Sequence, residues 1–212
     1  MPGKIVTIAQ QKGGAGKTTV SAHLAVAWSK MPGVSVALLD VDPQGSLGEW
    51  YEAREQALGE GETGLEFRTA SGWGARREAQ RLARDHDYVV LDTPPHADLD
   101  ARPAIDSADL VVVPVQPTPV DLWATRTTLE MLDGAATGII VLNRVPPRGR
   151  LAGEMVAAMG EFGGKIATAR IGNRVAFAEC LGRGLTVLET GGASRARDEV
   201  EALAKELASR LR

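Results

Sequence analysis

The 212-residue chain has a single cysteine, Cys180, so no disulfide can close within it and no cysteine pair is available for zinc or an iron–sulfur cluster. That usage fits a reducing compartment, and the chain is expected to be cytoplasmic. It also lacks any run approaching the roughly 18 to 20 uncharged apolar residues that cross a bilayer. The opening MPGKIVTIAQ has neither the basic segment nor the long apolar core of a secretory signal. No internal repeat, low-complexity tract or linker interrupts it, so residues 1–212 are read as one domain. Net charge is only −3, but its distribution is uneven. Residues 144–197 hold nine Lys/Arg against four Asp/Glu, and residues 1–143 hold twelve against nineteen. A mildly acidic whole can therefore present a cationic patch, because screening makes nearby charge count more than the sum.

What is present is an alternation. Short β-branched runs (KIVTIA, SVALLD, LEFRTA, YVVLD, LVVVPV, GIIVLN, KIATA) are separated by stretches long enough for crossover helices. Runs such as YVVLD and LVVVPV are apolar on both faces, as strands are when helices cover both sides of a sheet. The pattern predicts an α/β fold: a doubly wound, mostly parallel sheet flanked by helices. From Asp198 to Arg212, apolar residues recur at three- and four-residue spacing and predict a helix docked on the core.

Chemistry concentrates after the first strand, where residues 10–19 read QQKGGAGKTT. A glycine-rich turn between a strand end and a helix start lets backbone N–H groups converge on phosphate oxygens, and the helix N-terminus favours the anion. Gly13, Gly14, Ala15, Gly16, Lys17, Thr18 and Thr19 form this candidate phosphate loop. Lys17 supplies a charge to the terminal phosphates, and the Thr18 hydroxyl suits Mg²⁺. LLDVDPQGS follows the second strand and puts Asp40 and Asp42 on one face beyond a strand end, the side on which open α/β sheets bind ligands.

Lys12, just before the first glycine, gives KGGAGKTT, which resembles the deviant Walker A motif of the ParA/MinD family of P-loop ATPases, and most closely the small ParF-like partition members. The resemblance spans nearly the whole chain; it is strongest over residues 10–19, clear at 38–46 and weaker after 143. It implies ATP and Mg²⁺ as cofactors and a homodimer formed with ATP. Lys12, Lys17 and Asp42 become the catalytic residues: Lys12 crosses to the partner subunit's nucleotide, and Asp42 orients the attacking water. Asp92, ending YVVLD, matches the position that holds Mg²⁺ through water, with Asp40 and Thr18 near the metal. Asn143 matches the residue that reads adenine, with Arg144 alongside. Pro117, Pro119 and Asp121 match a proline-rich dimer interface.

By the same resemblance, hydrolysis is slow and raised by a separate partner of ParB-like or adaptor type. The ATP-bound dimer is expected to hold DNA non-specifically and to associate with the nucleoid while it positions a cargo: a plasmid, a chromosome region or a protein cluster. Arg170, Arg174 and Arg183 are the phosphate-contact candidates. Only 9 residues precede the loop, so no winged or helix-turn-helix extension is expected. The tail DEVEALAKELASRLR begins acidic and has an Ala/Leu stripe, which disfavours a membrane-targeting helix. The principal alternative is a P-loop kinase or ligase acting on a small molecule.

Overall fold

The computed structural model describes residues 2–95, 101–132, 137–147, 151–160, 165–191 and 194–212. Seven strands form one sheet: β1 (Lys4–Ile8), β2 (Val36–Asp40), β3 (Glu66–Thr69), β4 (Tyr88–Asp92), β5 (Leu110–Val115), β6 (Thr137–Leu142) and β7 (Lys165–Ile166). Their order is β3-β2-β4-β1-β5-β6-β7, and every pairing is parallel. The doubly wound expectation holds, with all seven expected strands present. The last is the shortest: KIATA pairs in regular register only at Lys165 and Ile166 before the chain turns away.

Helices α1 (Lys17–Ser29), α2 (Ser46–Leu58), α3 (Gly72–Leu82), α4 (Arg102–Asp106), α5 (Pro119–Leu132), α6 (Leu151–Gly160), α7 (Val175–Leu181) and α8 (Arg195–Arg210) complete the described elements. The order of strands changes direction at β1, whose neighbours are β4 and β5. Such a switch point opens a crevice at the strand C-termini. Register lines up the residues bordering it: Ile8 pairs with Asp92, Asp92 with Asp40, and Asp40 with Thr69.

The central strands are buried on both faces, which is why they read as continuous Val/Leu/Ile runs. Against one face, Trp28 of α1 is fully buried and stacks on Tyr88 at 4.5 Å. Its Nε1–H donates to the Ala204 carbonyl at 3.1 Å, which ties α8 to α1. Helix α8 starts earlier than its apolar spacing alone indicates because the Ser194 hydroxyl caps it, accepting from the Arg197 N–H.

A second tie joins α2 to the chain after α7. Arg54 is buried, donates twice to the Thr63 carbonyl, and forms a two-pronged pair with Glu189 at 2.7 and 3.0 Å. The loop reaches α2 only because residue 184 is glycine: Gly184 has φ +68°, and a Cβ there would lie 2.1 Å from the Arg54 nitrogen. Gly184→Ala is expected to cost about 2 to 4 kcal/mol of stability, combining left-handed strain with overlap against backbone. Urea unfolding checks this, and an unchanged midpoint would mean the loop has slack that the packing does not suggest.

Candidate nucleotide-binding site

The candidate phosphate loop leaves β1 and enters α1 at the switch point. Gly14 (φ 75°) and Gly16 (φ 93°) take left-handed conformations that β-carbon-bearing residues avoid. At Gly16 the constraint is doubled, because a Cβ would lie 2.3 Å from the Asn143 Nδ2. Gly13 and Gly14 border open space. Lys17, the first residue of α1, is buried and donates from Nζ to the Gln10 carbonyl at 3.3 Å. Burial pulls its ammonium below the ordinary lysine value, against the attraction of Asp92 and Asp42.

Behind the loop, Thr18 and Ser21, on one face of α1, both reach Asp92. Thr18 donates to Oδ2 at 2.6 Å, and Ser21 lies 3.1 Å from Oδ1. Burial pushes the Asp92 carboxyl up to about 7; the Thr18 hydroxyl opposes that shift, and the nearby Asp40 reinforces it. A hydroxyl and a carboxylate of this kind are hard oxygen donors suited to Mg²⁺. Asp40 sits beside them in register, but its oxygens accept from the backbone N–H groups of Asp42 (3.0 Å) and Gly48 (3.1 Å). In this arrangement Asp40 braces the loop that carries Asp42. Burial raises its pKa, and those two N–H groups oppose the rise. Asp42 is half-buried, and its Oδ1 accepts from the Gln44 N–H at 2.9 Å.

Lys12 is paired within its own chain. Its Nζ lies 2.5 Å from Asp121 Oδ2, and Asp121 has no exposed surface. Thr118 donates to the same oxygen, and Oδ1 is buried with no hydrogen-bond partner. Asp121 therefore faces inward toward Lys12. Of the interface candidates beside it, Pro117 is buried and Pro119 exposed. The outward positions of α5 are Val120 (54% exposed) and Trp123 (69%).

On the other flank, Asn143 follows β6 and is buried. Its amide donates to the Ala15 carbonyl at 2.7 Å and its Oδ1 accepts from Arg144 N–H, so it also props the phosphate loop. Thr19, Asn143, Arg144 and Arg174 border a cleft of about 460 Å³. Arg144 is exposed there in a left-handed conformation, φ 51°.

The three DNA-contact candidates separate. Arg170 and Arg183 are exposed, whereas Arg174 donates two hydrogen bonds to Glu199, at 2.5 and 3.0 Å, and borders the cleft beside Asn143. Arg148 and Arg150 of the basic third lie outside the described residues.

Residues not singled out from the sequence complete the site. Gln10 is buried; its carbonyl receives Lys17 and its side chain accepts from Thr128 at 2.9 Å. Gln116 donates to the Gly14 carbonyl at 2.9 Å. Ser21 was findable, since it lies one turn after Thr18 on the same helical face; the two glutamines have no comparable spacing signal.

The unfolded chain releases the Asp92 proton near 3.8 and the folded chain near 7. The folded state thus holds a proton across that window, and the stability this confers is full below about 4 and lost as pH rises through 7. In nucleotide-free protein, Asp92→Asn is expected to exceed the parent in stability at pH 8 by on the order of 2 kcal/mol, with the gap closing toward pH 4. Urea titrations at both ends check it; a gap independent of pH would show that Asp92 does not titrate there.

A family model described as the CobQ/CobB/MinD/ParA nucleotide binding domain matches residues 6–187. The chain is 27% identical to Maintenance of carboxysome distribution protein A of Halothiobacillus neapolitanus, over 95% of each chain. It is 29% identical to the Chromosome-partitioning ATPase Soj of Thermus thermophilus, over 97% of this chain and 96% of that one. Among solved structures, an ATP complex of an alanine variant of Cyanothece McdA superposes with a TM-score of 0.81 at 20% identity, over 98% and 97% of the two chains. With the phosphate loop at the switch point of a parallel sheet, and with that match over most of its length, the chain belongs to the CobQ/CobB/MinD/ParA nucleotide-binding family, among its ParA/MinD-type ATPases.

Proposed function

We propose that this protein is a positioning ATPase: it dimerises on ATP with Mg²⁺, holds DNA without sequence preference in that state, and is released when a partner raises hydrolysis. The observation that carries this reading is the placement of Lys12. A lysine at the mouth of the phosphate loop is held at 2.5 Å by a buried carboxylate at the start of α5, and that helix turns Val120 and Trp123 outward beside it. A second subunit covering this face would bury both apolar side chains and bring Lys12 to its nucleotide. The cation then neutralises phosphate charge that would otherwise repel the second subunit.

The other roles follow from position. Lys17 and the backbone of Gly13–Thr19 bind the phosphates; Thr18 and Asp92 hold Mg²⁺, with Asp40 bracing the loop that carries Asp42. Asp42, half-buried on that loop, orients water for attack, a task of alignment more than covalent chemistry. Asn143 and Arg144 border the base. Arg170 and Arg183 are the exposed cations available to DNA; Arg174, tied to Glu199, contributes to the base cleft instead. The similarity to carboxysome-distribution and chromosome-partitioning proteins supports an intracellular body or a chromosome region as cargo. No described helix is long and apolar enough to cross a membrane.

Size by light scattering tests the cycle. The parent is expected to be monomeric with ADP and dimeric with ATP–Mg²⁺; Lys12→Ala and Lys17→Ala remain monomeric, and Asp42→Ala accumulates the dimer. A monomer in every nucleotide state would favour the small-molecule kinase or ligase.

DNA binding is checked separately by retention of a 24-bp duplex at two salt concentrations with Asp42→Ala and ATP. Arg170→Glu combined with Arg183→Glu is expected to weaken retention at least tenfold, as loss of two phosphate contacts predicts, with nucleotide affinity unchanged. Equal retention would move the DNA surface elsewhere.

A further inference from the structure

The segment after β7 forms one wall of the cleft beside Asn143, and carboxylates of the last helix hold it in place. Glu206 of α8 accepts from the N–H groups of Thr168 (3.1 Å) and Ala169 (2.9 Å). Two turns earlier on the same helical face, Glu199 accepts from the Gly172 N–H at 3.0 Å and from the Arg174 guanidinium at 2.5 and 3.0 Å. On its other side the segment bonds to the chain after β6: Val145 N–H donates to the Ile171 carbonyl at 2.9 Å, and Asn173 N–H to the Val145 carbonyl at 2.8 Å. Two nitrogens of Arg174 are thus gripped by one carboxylate, a two-pronged pairing that sets the orientation of the whole guanidinium.

Gly172 shows that this plane lies flat against the backbone. A Cβ at residue 172 would meet Arg174 Nε, Nη2 and Cζ at 3.1, 3.1 and 3.2 Å. Near-equal distances to three atoms of one plane put that point over the plane and not at its edge. Glycine therefore lets the guanidinium rest on the chain with one face covered. The Arg174 side chain is still 31% exposed, and it borders the cleft of about 460 Å³ that begins at Thr19, at the end of the phosphate loop. Val175, Phe177 and Leu181 supply apolar surface to the same cleft. A flat cation backed by the chain, beside apolar groups and next to a phosphate site, matches the π-face of a nucleobase.

We propose that Arg174 is the stacking platform for the base of the bound nucleotide, backed by Gly172, and that Glu199 is the positioning residue that holds it from α8. This deepens the positioning-ATPase reading and rests on its nucleotide site. The competing use of an arginine here is a phosphate contact. The fork that would grip a phosphate is committed to Glu199, and what remains for a ligand is chiefly a face. The Asn143 amide, for its part, is bonded to Ala15 and Arg144, so a platform supplies base affinity that this side chain's existing bonds do not. Helix α8, docked on α1 through Trp28 and the Ala204 carbonyl, thereby becomes part of the nucleotide site.

The test titrates the full chain with ADP–Mg²⁺, with CDP–Mg²⁺ and with pyrophosphate–Mg²⁺, which lacks the base, by calorimetry. Arg174→Ala is expected to weaken ADP roughly tenfold, as loss of one stacking partner predicts, and to leave pyrophosphate unchanged. The parent's preference for ADP over CDP, set by the larger purine face, should fall in the same variant. Arg174→Lys keeps the charge and loses the plane, so it should resemble Arg174→Ala. Glu199→Gln, which loosens the fork, and Gly172→Ala, which lifts the guanidinium off the chain, should weaken ADP by smaller factors, again without affecting pyrophosphate. Equal losses of ADP and pyrophosphate affinity would make Arg174 a phosphate contact or a structural tie and overturn the proposal. Full ADP affinity in Arg174→Ala, or its restoration by Arg174→Lys, would do the same. Both ratios are read within one variant, so they decide the matter even where a substitution lowers the melting temperature. ADP binding requires neither dimer nor DNA, so a failed positioning cycle would leave this result standing.

Discussion

The site depends on one buried carboxylate. Asp92 ends β4 in the middle of the sheet and receives hydroxyl groups of Thr18 and Ser21 from α1. That contact ties the first helix to the sheet just behind the phosphate loop, whose backbone Asn143 and Gln116 hold from elsewhere in the chain. It is also unfavourable in isolation: an ionised carboxylate without a cation in a dry site is costly, which is why its pKa rises to about 7. Stability alone would favour an amide at this position. A carboxylate at this position makes physical sense if, as proposed, it faces a divalent cation, whose charge would offset the cost of ionising it.

The same logic applies at Lys12. In the single chain its ammonium neutralises Asp121, which is fully buried and has one oxygen unsatisfied. Removing one member of a buried ion pair costs on the order of 3 to 5 kcal/mol, so Lys12 does not leave Asp121 spontaneously. In the proposed dimer, moving this lysine to a partner's triphosphate would require a replacement of comparable strength, and burial of Val120 and Trp123, both exposed in the single chain, would contribute to the offset.

The fold was legible because its signals are local and strong. Strands buried on both faces read as unbroken apolar runs, and QQKGGAGKTT carries its own mechanism in glycine spacing and the lysine–threonine pair. Asp40 and Asp92 were findable because they end strands on one side of the sheet, and Asp42 because it follows two residues beyond such an end. What spacing did not carry were contacts between distant segments: Gln10 with Thr128, Gln116 with Gly14, and Asn143 with Ala15. Each joins residues more than a hundred positions apart through a side-chain amide, and even for Asn143, which the resemblance singled out, nothing in the sequence indicated this contact. Arg174 illustrates the converse. A basic stretch suggests free cations, but Glu199 on α8 neutralises this one, and only the packing of the last helix reveals it.

Arg54 shows how these parts are tied together. It is buried in α2, the helix whose N-terminus braces Asp40, and it bonds to Glu189 and to the Gly184 carbonyl in the chain after α7. Arg183, an exposed cation, is adjacent to that anchor. Gly184 packs against the α2 backbone with no room for a methyl group. The contacts of Arg54 and Gly184 therefore join α2, which braces Asp40, directly to the loop that carries Arg183.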